Sequence, residues 1–287
     1  MPGHNVYYVN SQNRRFTLSG DDLTFLDVLP LYSFKWDYTT ANRPSGMGGT
    51  ASGFSRFPRE IALELRMRGR TREQFLSQMN SLAAVADVDA LNETPGRLYV
   101  DGQYMAGFLA VSGSVSSNPR NATFATQDIR FLSVEPYWCT ERIVQLYQTG
   151  DDPGTLDTTA KKYNLRNPYH YTRRAYTAID LDNTHYAPAP MRFTISGPIT
   201  NPAITIAGNV YQVNVAILQT ERLVIDQTTH EIYKLNAAGA KTNVFNSRNK
   251  AYDIFKPLAT GTSELTYSGE FDAQIAIIEQ RSQLRWV

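Results

Sequence analysis

The stretch that decides the fold of the first half of the chain is Ile61–Arg68, which reads IALELRMR. Ile61, Leu63, Leu65 and Met67 alternate with small or charged residues. A period of two is expected when one face of a strand is buried and the other is solvated. The stretch therefore predicts a β-strand that covers a core with one face.

One strong helix is predicted directly after this strand. Thr71 stands where a helix cap is expected and Gln74 follows three residues later, so each side chain can satisfy the other's free backbone N–H. Apolar residues then recur at spacings of four, three and four up to about Asp89. This stripe consists of Phe75, Met79, Leu82 and Ala86.

The sequence on either side of this strand and helix has β character. Asn5–Leu18 predicts a hairpin of two short strands, and Arg97–Val111 predicts a second hairpin. The turn of the second is Asp101-Gly102, a pair suited to positive φ. Strand character continues through 124–134. Residues 1–139 are thus predicted to form a β-sandwich domain with one packed helix.

The second half begins with a change of composition. From Thr140 to Pro190 the periodicity fades, and the stretch is rich in Gly, Pro, Asp and Tyr, so residues 140–190 are predicted to form an extended linker. Many short strands separated by turns then predict a second β-sandwich over 191–287. These strands are Arg192–Ile195, Ala203–Ile206, Val210–Leu218, Arg222–Asp226, Ile232–Leu235, Glu264–Tyr267 and Ala273–Ile278.

Composition excludes several classes of function. The 287 residues suggest about two domains, and 28 Lys and Arg against 27 Asp and Glu leave no global field that would attract nucleic acid. The single cysteine, Cys139, cannot form an intrachain disulfide or a thiolate metal site. Neither an export signal nor a membrane span is expected.

The glycine-rich stretch at Ser45–Gly49, with Gly53, is the first candidate for a binding site. No Gly-Lys-Ser/Thr follows it and no helix is predicted to begin there, so a phosphate-binding loop is disfavoured. A flexible loop is the preferred interpretation. In functional terms, the loop from Asp37 to Phe54 would be a mobile arm that orders against a neighbouring subunit.

Candidate catalytic and metal-binding residues do not form a recognisable pattern. The histidines are scattered and the carboxylates on predicted strands appear at outward positions, so no catalytic residue, cofactor or metal is predicted. Asp180, Asp182 and His185 could reach one ion but are interpreted as solvated. The other histidines are His4, His170 and His230, and the strand carboxylates are Glu64, Glu221, Glu231 and Glu264.

A cluster of tyrosines and arginines within the predicted linker combines aromatic surface with positive charge. Such a cluster suits a protein interface, sugars or bases, and neutral net charge favours the interface. A partly buried local cluster is equally compatible with the sequence. The cluster consists of Tyr163, Tyr169, His170, Tyr171, Arg173, Arg174 and Tyr176.

The order of these features resembles the distal tail protein family of siphophages. The relevant stretches are IALELRMRGR at Ile61–Arg70 with the following helix, RLYVDGQYMAG at Arg97–Gly107, and EPYW at Glu135–Trp138. In the second half they are ERLVIDQTTHEIYKLNAAGAKTN at Glu221–Asn243 and FKPLATGTSELTYSG at Phe255–Gly269. The resemblance spans nearly the whole chain, and its specificity lies in the order of loose motifs.

This resemblance implies a mainly β protein with an N-terminal ring-forming sandwich and a C-terminal galectin-like, jelly-roll sandwich. It also implies a structural role without enzymatic activity: a hexameric ring at the distal end of the phage tail in the virion, made in the bacterial host cytoplasm. The expected partners are the tail tube protein and the tail-tip, tail-associated or receptor-binding proteins. Neither nucleic-acid specificity nor membrane association is expected.

Two other functions remain open at this stage. A carbohydrate-binding adhesion module could use Tyr211, Tyr233 and Tyr252 to hold host cell-wall polysaccharide. Ser116–Arg120 is similar to the galectin His-x-Asn-Pro-Arg signature but has serine in the histidine place, so we interpret it as a turn. A polysaccharide-degrading enzyme ranks last, since only a β-sandwich fold and available carboxylates favour it.

Overall fold

The computed structural model describes residues 4–19, 24–116, 123–148 and 177–286. The chain is mainly β and forms two compact units. The first unit contains Met1–Thr140 and Gln280–Val287, and the second contains Glu141–Glu279. The residues from Gln280 onward, which the sequence-based boundaries assigned to the second domain, therefore belong to the first unit.

The first unit contains the β elements predicted for the first half of the chain, further short strands and two helices. In chain order they are β1 Val6–Val9, β2 Arg15–Ser19, β3 Thr24–Leu26, α1 Leu29–Tyr32, β4 Asp37–Asn42, β5 Gly49–Ser55, β6 Arg59–Arg68, α2 Arg72–Leu91, β7 Gly96–Val100, β8 Gln103–Ser116, β9 Phe124–Ser133 and the start of β10 Trp138–Leu146. The four-residue α1 was not predicted.

Strand β8 is shared by two antiparallel sheets of the first unit. Its first part pairs with β7 in the order β2-β1-β7-β8, and its second part pairs with β9 in the order β8-β9-β6-β3. Gly107 lies at the change of partner. A Cβ there would stand 2.4 Å from the carbonyl oxygen of Leu132, so the two strands can approach only because this residue is glycine.

Strand β6 and helix α2 form as predicted. In β6, Ile61, Leu63, Leu65 and Met67 are buried and the alternate side chains face outward. Helix α2 begins after Thr71, whose Oγ1 accepts a hydrogen bond from the N–H of Gln74 at 3.2 Å. The reciprocal bond differs from the prediction, because the side chain of Gln74 accepts from Arg70 N–H at 2.9 Å instead of from Thr71.

The turn between β7 and β8 also confirms the sequence analysis. Asp101 and Gly102 have φ angles of 47° and 83°, as a two-residue turn with both central residues at positive φ requires. The inward residues of this hairpin, including Leu98, Val100 and Met105, join the core of the first unit. That core also contains Phe75, Leu82, Val85 and Ala86 of α2 and receives Leu284 from the end of the chain.

The second unit consists of short strands. They are the end of β10, then β11 Thr177–Asn183, β12 Met191–Ser196, β13 Ile199–Thr200, β14 Ala203–Ile206, β15 Asn209–Gln212, β16 Ala216–Ile217, β17 Arg222–Asp226, β18 Glu231–Leu235, β19 Lys241–Asn243, β20 Gly261–Tyr267 and β21 Ala273–Arg281, with a 3-10 turn at Phe245–Ser247. The main sheets have the orders β19-β18-β17-β12-β21 and β11-β20-β14-β15.

Side chains from both sheets of the second unit enter one core, among them Phe193, Ile225 and Ile275 from the first sheet and Leu181 and Leu265 from the second. Parts of the predicted linker thus form structure: residues 141–146 continue β10, and 177–183 form β11. In β11, Ile179 and Leu181 pack in the core while Asp180 and Asp182 are exposed, so this segment carries a short alternation that the prediction of a linker overlooked. Residues 149–176 of the predicted linker lie outside the described residues.

Candidate assembly interface

The predicted loop from Asp37 to Phe54 is a regular two-stranded hairpin, which we call the arm. Its strands β4 and β5 pair antiparallel from Asp37 opposite Ser55 to Asn42 opposite Gly49. Within the described chain they pair only with each other. The segment predicted as a loop is therefore a regular hairpin with the glycine-rich stretch at its turn, and its flexibility stays a prediction. Its β-branched threonines and the short turn favour a ribbon.

The tip of the arm explains the glycine-rich sequence. Arg43 N–H donates to the carbonyl of Gly48 at 3.1 Å, and Gly46 N–H donates to the carbonyl of Arg43 at 3.0 Å. Gly46 and Gly48 both have positive φ, near 72° and 74°. The stretch continues into strand β5 and not into a helix. The glycines thus reverse the chain, and this loop lacks the helix N-terminus of a phosphate site.

A bulge at Gly53 directs the aromatic side chains of the arm. The register shifts between Asp37, which is opposite Ser55, and Thr39, which is opposite Ser52, so β5 has one more residue than β4 in this interval. Gly53 lies in this interval and has a φ of 65°. A glycine at positive φ is typical of a bulge in which two residues oppose one. Beyond the bulge, the rings of Tyr38 and Phe54 lie 5.7 Å apart. The arm therefore carries one aromatic pair.

The arm is almost entirely solvated. Every residue of β5 is exposed, as is every residue of β4 except Asp37. The large apolar side chains are exposed as well: Tyr38 by 58%, Met47 by 81% and Phe54 by 60%. An isolated two-stranded hairpin is at best marginally stable in water, and large exposed apolar side chains are common at surfaces that bind other molecules.

The root of the arm is held firmly. The Arg56 guanidinium lies 4.5 Å from the centre of the Tyr137 ring and donates to the carbonyl of Ser282 at 3.0 Å. Arg59 donates to the carbonyl and hydroxyl of Ser33, and burial lowers its pKa below the ordinary arginine value. These contacts fix the direction in which the arm leaves the first unit.

A small cavity of about 260 Å³ lies at this root. Lys35 in its wall pairs with Asp37 at 2.9 Å, and Phe57 beside it is 63% exposed. The other lining residues are Arg56, Pro58, Arg59 and Pro136. The root of the arm thus also carries an exposed aromatic side chain, Phe57.

The carboxylates considered for catalysis do not share a site. Glu64 lies in the first unit and pairs with Arg66 at 2.8 Å, whereas the others lie in the second unit. Glu221 pairs with Lys234 at 2.9 Å and accepts from Leu218 N–H, and that backbone bond and the lysine hold its pKa below the ordinary value. Glu264 faces outward from β20, opposite Asp180.

The candidate metal residues separate as well. Asp180 and Asp182 are exposed on β11, whereas His185 is 4% exposed and contacts the backbone of Ala187. No group of three metal-binding side chains comes together in the described ranges. His4 pairs with Asp101 at 2.5 Å, and the ring of His230 lies 4.9 Å from that of Phe255. His170 lies outside the described residues.

The tyrosines considered for carbohydrate binding are not one exposed platform. Tyr211 is 2% exposed, and its hydroxyl donates to the carbonyl of Lys256 at 2.8 Å. Tyr233 lies beneath the ammonium of Lys241, 4.4 Å from it, and Tyr252 is exposed. The Tyr163–Tyr176 cluster and most of Ser116–Arg120 lie outside the described residues.

None of the helices in the described part of the chain is long and apolar enough to span a membrane. No protein-family model matches the chain, and no curated protein has a matching sequence.

Solved structures do share the fold. The Dit protein of phage SPP1, described as a paradigm of the hub adsorption apparatus of phages that infect Gram-positive bacteria, matches with a TM-score of 0.53 and 10% identity, over 97% of this chain and 99% of that one. A chain of the phage p2 baseplate, activated with strontium, matches with a TM-score of 0.61 and 12% identity, over 98% and 99% of the two chains. A chain of the calcium-activated p2 baseplate matches with a TM-score of 0.58 and 12% identity, over 99% of this chain and 100% of that one.

The chain thus has the fold of phage hub and baseplate proteins along nearly its whole length. SPP1 Dit and a component of the p2 baseplate are two of the solved structures that carry this fold.

Proposed function

We propose that this protein is a structural hub of a long-tailed phage, placed at the distal end of the tail in the virion and without enzymatic activity. The observation that carries the proposal is the arm: an almost entirely solvated hairpin with exposed aromatic side chains, on a fold shared with phage hub and baseplate chains. Such a hairpin gains stability only by docking on another molecule. In this proposal that molecule is a neighbouring copy.

The arm has the reach for such a contact. Each strand of about six residues spans roughly 20 Å at about 3.3 Å per residue. An arm that leaves one copy and docks on a different surface of the next makes a heterologous interface, and repetition of that interface closes a ring if the rotation allows. A ring of six copies is the form we propose.

The ring would join the tail tube protein to the tail-tip, tail-associated or receptor-binding proteins. In this arrangement the first unit forms the ring, and the second unit is a peripheral galectin-like sandwich. The support for these partners is the assembly in which two of the similar chains were solved, a phage baseplate.

Electron microscopy of the purified full chain tests this proposal. Closed rings with sixfold symmetry and a central opening are the expected particles. Since assembly follows mass action, the samples for microscopy should be prepared over a range from low to high protein concentration. Single compact particles at every concentration would contradict a ring that the chain forms by itself.

A further inference from the structure

The second unit contains a free strand edge. Strand β11 is the last strand of the β11-β20-β14-β15 sheet, and within the described chain it pairs only with β20, over all seven of its residues. The unpaired N–H and C=O groups of such an edge can bind another strand. Since a typical strand has about five or six residues, β11 is long enough to accept an extended segment of another molecule.

The register of the sheet shows which backbone groups face this edge. The carbonyl of Glu264 in β20 accepts a hydrogen bond from the N–H of Ala207 at 2.9 Å, on the side away from β11. Asp180 stands opposite Glu264, so these two residues do not bond each other, and the N–H and C=O of Asp180 point to the free edge. Those of Asp182 do so too, and its carbonyl accepts from the guanidinium of Arg142.

The side chains on the outer face of this edge are acidic. Asp180 and Asp182 are exposed, and so is Glu264, directly opposite Asp180. Within the described chain none of these three carboxylates forms an ion pair, although Asp182 accepts from the hydroxyl of Thr262 at 3.3 Å. Like charges directly opposite each other on neighbouring strands destabilise a sheet. A cation from another molecule would thus form a pair and also reduce a repulsion.

The inner face of the same edge is apolar. Leu181 is buried in the core of the second unit, and Ile179 is partly buried against it. The side chains of an added strand alternate between the same two faces. Residues opposite Asp180 and Asp182 would meet carboxylates, whereas those opposite Ile179 and Leu181 would meet apolar side chains. The edge is therefore complementary to a strand in which cations and apolar residues alternate.

We propose that the free edge of β11 binds an extended basic segment of another protein, with lysine or arginine at every second position and apolar residues between them. The segment adds to the sheet as a further strand, so main-chain hydrogen bonds give affinity and alternate side chains give specificity. The aspartates also oppose pairing of two copies through this edge, because two β11 strands side by side would bring their carboxylates together. The site lies in the second unit and does not depend on ring formation.

The test measures binding of a fluorescent peptide, Thr-Lys-Val-Lys-Val-Lys-Thr, to the full chain by anisotropy at low ionic strength. Two control peptides separate strand addition from charge. Thr-Val-Val-Lys-Lys-Lys-Thr has the same composition without the alternation. The first peptide methylated on the backbone nitrogens of its lysines keeps the charge and the alternation but lacks these main-chain donors. Each control peptide should bind at least tenfold more weakly.

Two double variants locate the binding on the chain. Asp180→Asn/Asp182→Asn should bind the alternating peptide at least tenfold more weakly than the unaltered chain does. The matched control, Asp87→Asn/Asp128→Asn, removes two exposed aspartates of the first unit and should bind as the unaltered chain does. All four side chains are exposed, so both variants should unfold at the same urea concentration as the unaltered chain.

Each other result overturns the proposal. Lack of saturable binding, or equal binding of the three peptides, would mean that the edge does not accept a strand. Equal losses in the two double variants would mean that the peptide senses only overall charge. A smaller oligomeric mass of the Asp180→Asn/Asp182→Asn chain would make the edge a contact between copies. If that variant does not fold, the three peptides on the unaltered chain still decide whether a strand is added.

Discussion

Replacing Phe54 with serine should weaken assembly about a hundredfold while leaving the free chain as stable as before. Phe54 is 60% exposed and lies in β5 of the arm, so its ring contributes little to the folding of a single copy. If a neighbouring copy covers the arm, the same ring becomes buried. The substitution thus separates assembly from folding.

The magnitude follows from the exposed area. A phenylalanine side chain buries roughly 200 Å², so the 60% that is exposed corresponds to about 120 Å². At about 25 cal/mol per Å² its burial contributes about 3 kcal/mol to each contact. Since about 1.4 kcal/mol is a factor of ten, the dissociation constant should rise about a hundredfold.

Light scattering across a dilution series measures this shift, and urea unfolding measures the stability of the free chain. The matched control is Phe124→Ser, because Phe124 is 49% exposed but lies on β9, off the arm. The reasoning is refuted if Phe54→Ser and Phe124→Ser shift the dissociation midpoint equally, or if Phe54→Ser lowers the free energy of unfolding by several kcal/mol.

Three further predictions concern the stability of the two units. Tyr8→Phe removes the hydroxyl that donates to the fully buried Asp89 at 2.5 Å, and urea unfolding should show a loss of about 2–3 kcal/mol. Burial raises the pKa of Tyr211 to about 12 from the ordinary 10.0. The contribution of this tyrosine to the free energy of unfolding is therefore complete below pH 10 and declines by roughly 3 kcal/mol as the pH rises to 12. The free energy of unfolding of Tyr211→Phe should lack this decline. Arg192→Met leaves the buried Asp226, 2.6 Å away, without this cation and should lower the free energy of unfolding by about 3–5 kcal/mol at pH 7. Although burial opposes ionisation of Asp226, Arg192 and Thr228 hold its pKa below the ordinary value. The unaltered chain therefore loses this contribution as the pH falls through that pKa, so the difference in stability between the two proteins, measured by acid titration, should shrink there.

The elements that the sequence predicted are those specified by neighbouring residues. The alternation of Ile61–Met67, the cap at Thr71 and the Asp101-Gly102 turn each determine a conformation within a few residues. These signals are strong because the period of apolar residues and the residues of a turn determine the conformation of their own segment. The mainly β fold follows from many such local preferences taken together.

Features that depend on distant residues were not predictable. Tyr7, Tyr99 and Tyr104 form a stack only because of the register of three strands, which the spacing of tyrosines in the sequence does not reveal. The return of the chain end is similar: Gln283 donates to the carbonyl of Tyr32, and the Trp286 ring stacks on that of Tyr32 at 4.0 Å.

The arm was predicted in location but not in form. Its glycines and lack of apolar period indicated a loop between Asp37 and Phe54, and the contact with a neighbouring copy was a hypothesis that remains a proposal. Threonine-rich strands without a buried face give no alternation in the sequence, since neither face is covered within one copy. Such strands show only in their β-branched residues and their turn, which are weaker signals than an apolar alternation.

The most direct test of a ring built by the arm is the solution mass of the full chain beside that of an arm deletion. Because Asp37 and Ser55 are paired, residues 38–54 can be replaced by Gly-Gly without stretching the chain. The account predicts six times the chain mass of 32.3 kDa for the full chain at high concentration and a monomer for the deletion. Equal masses for the two proteins, whether both monomeric or both hexameric, would contradict it.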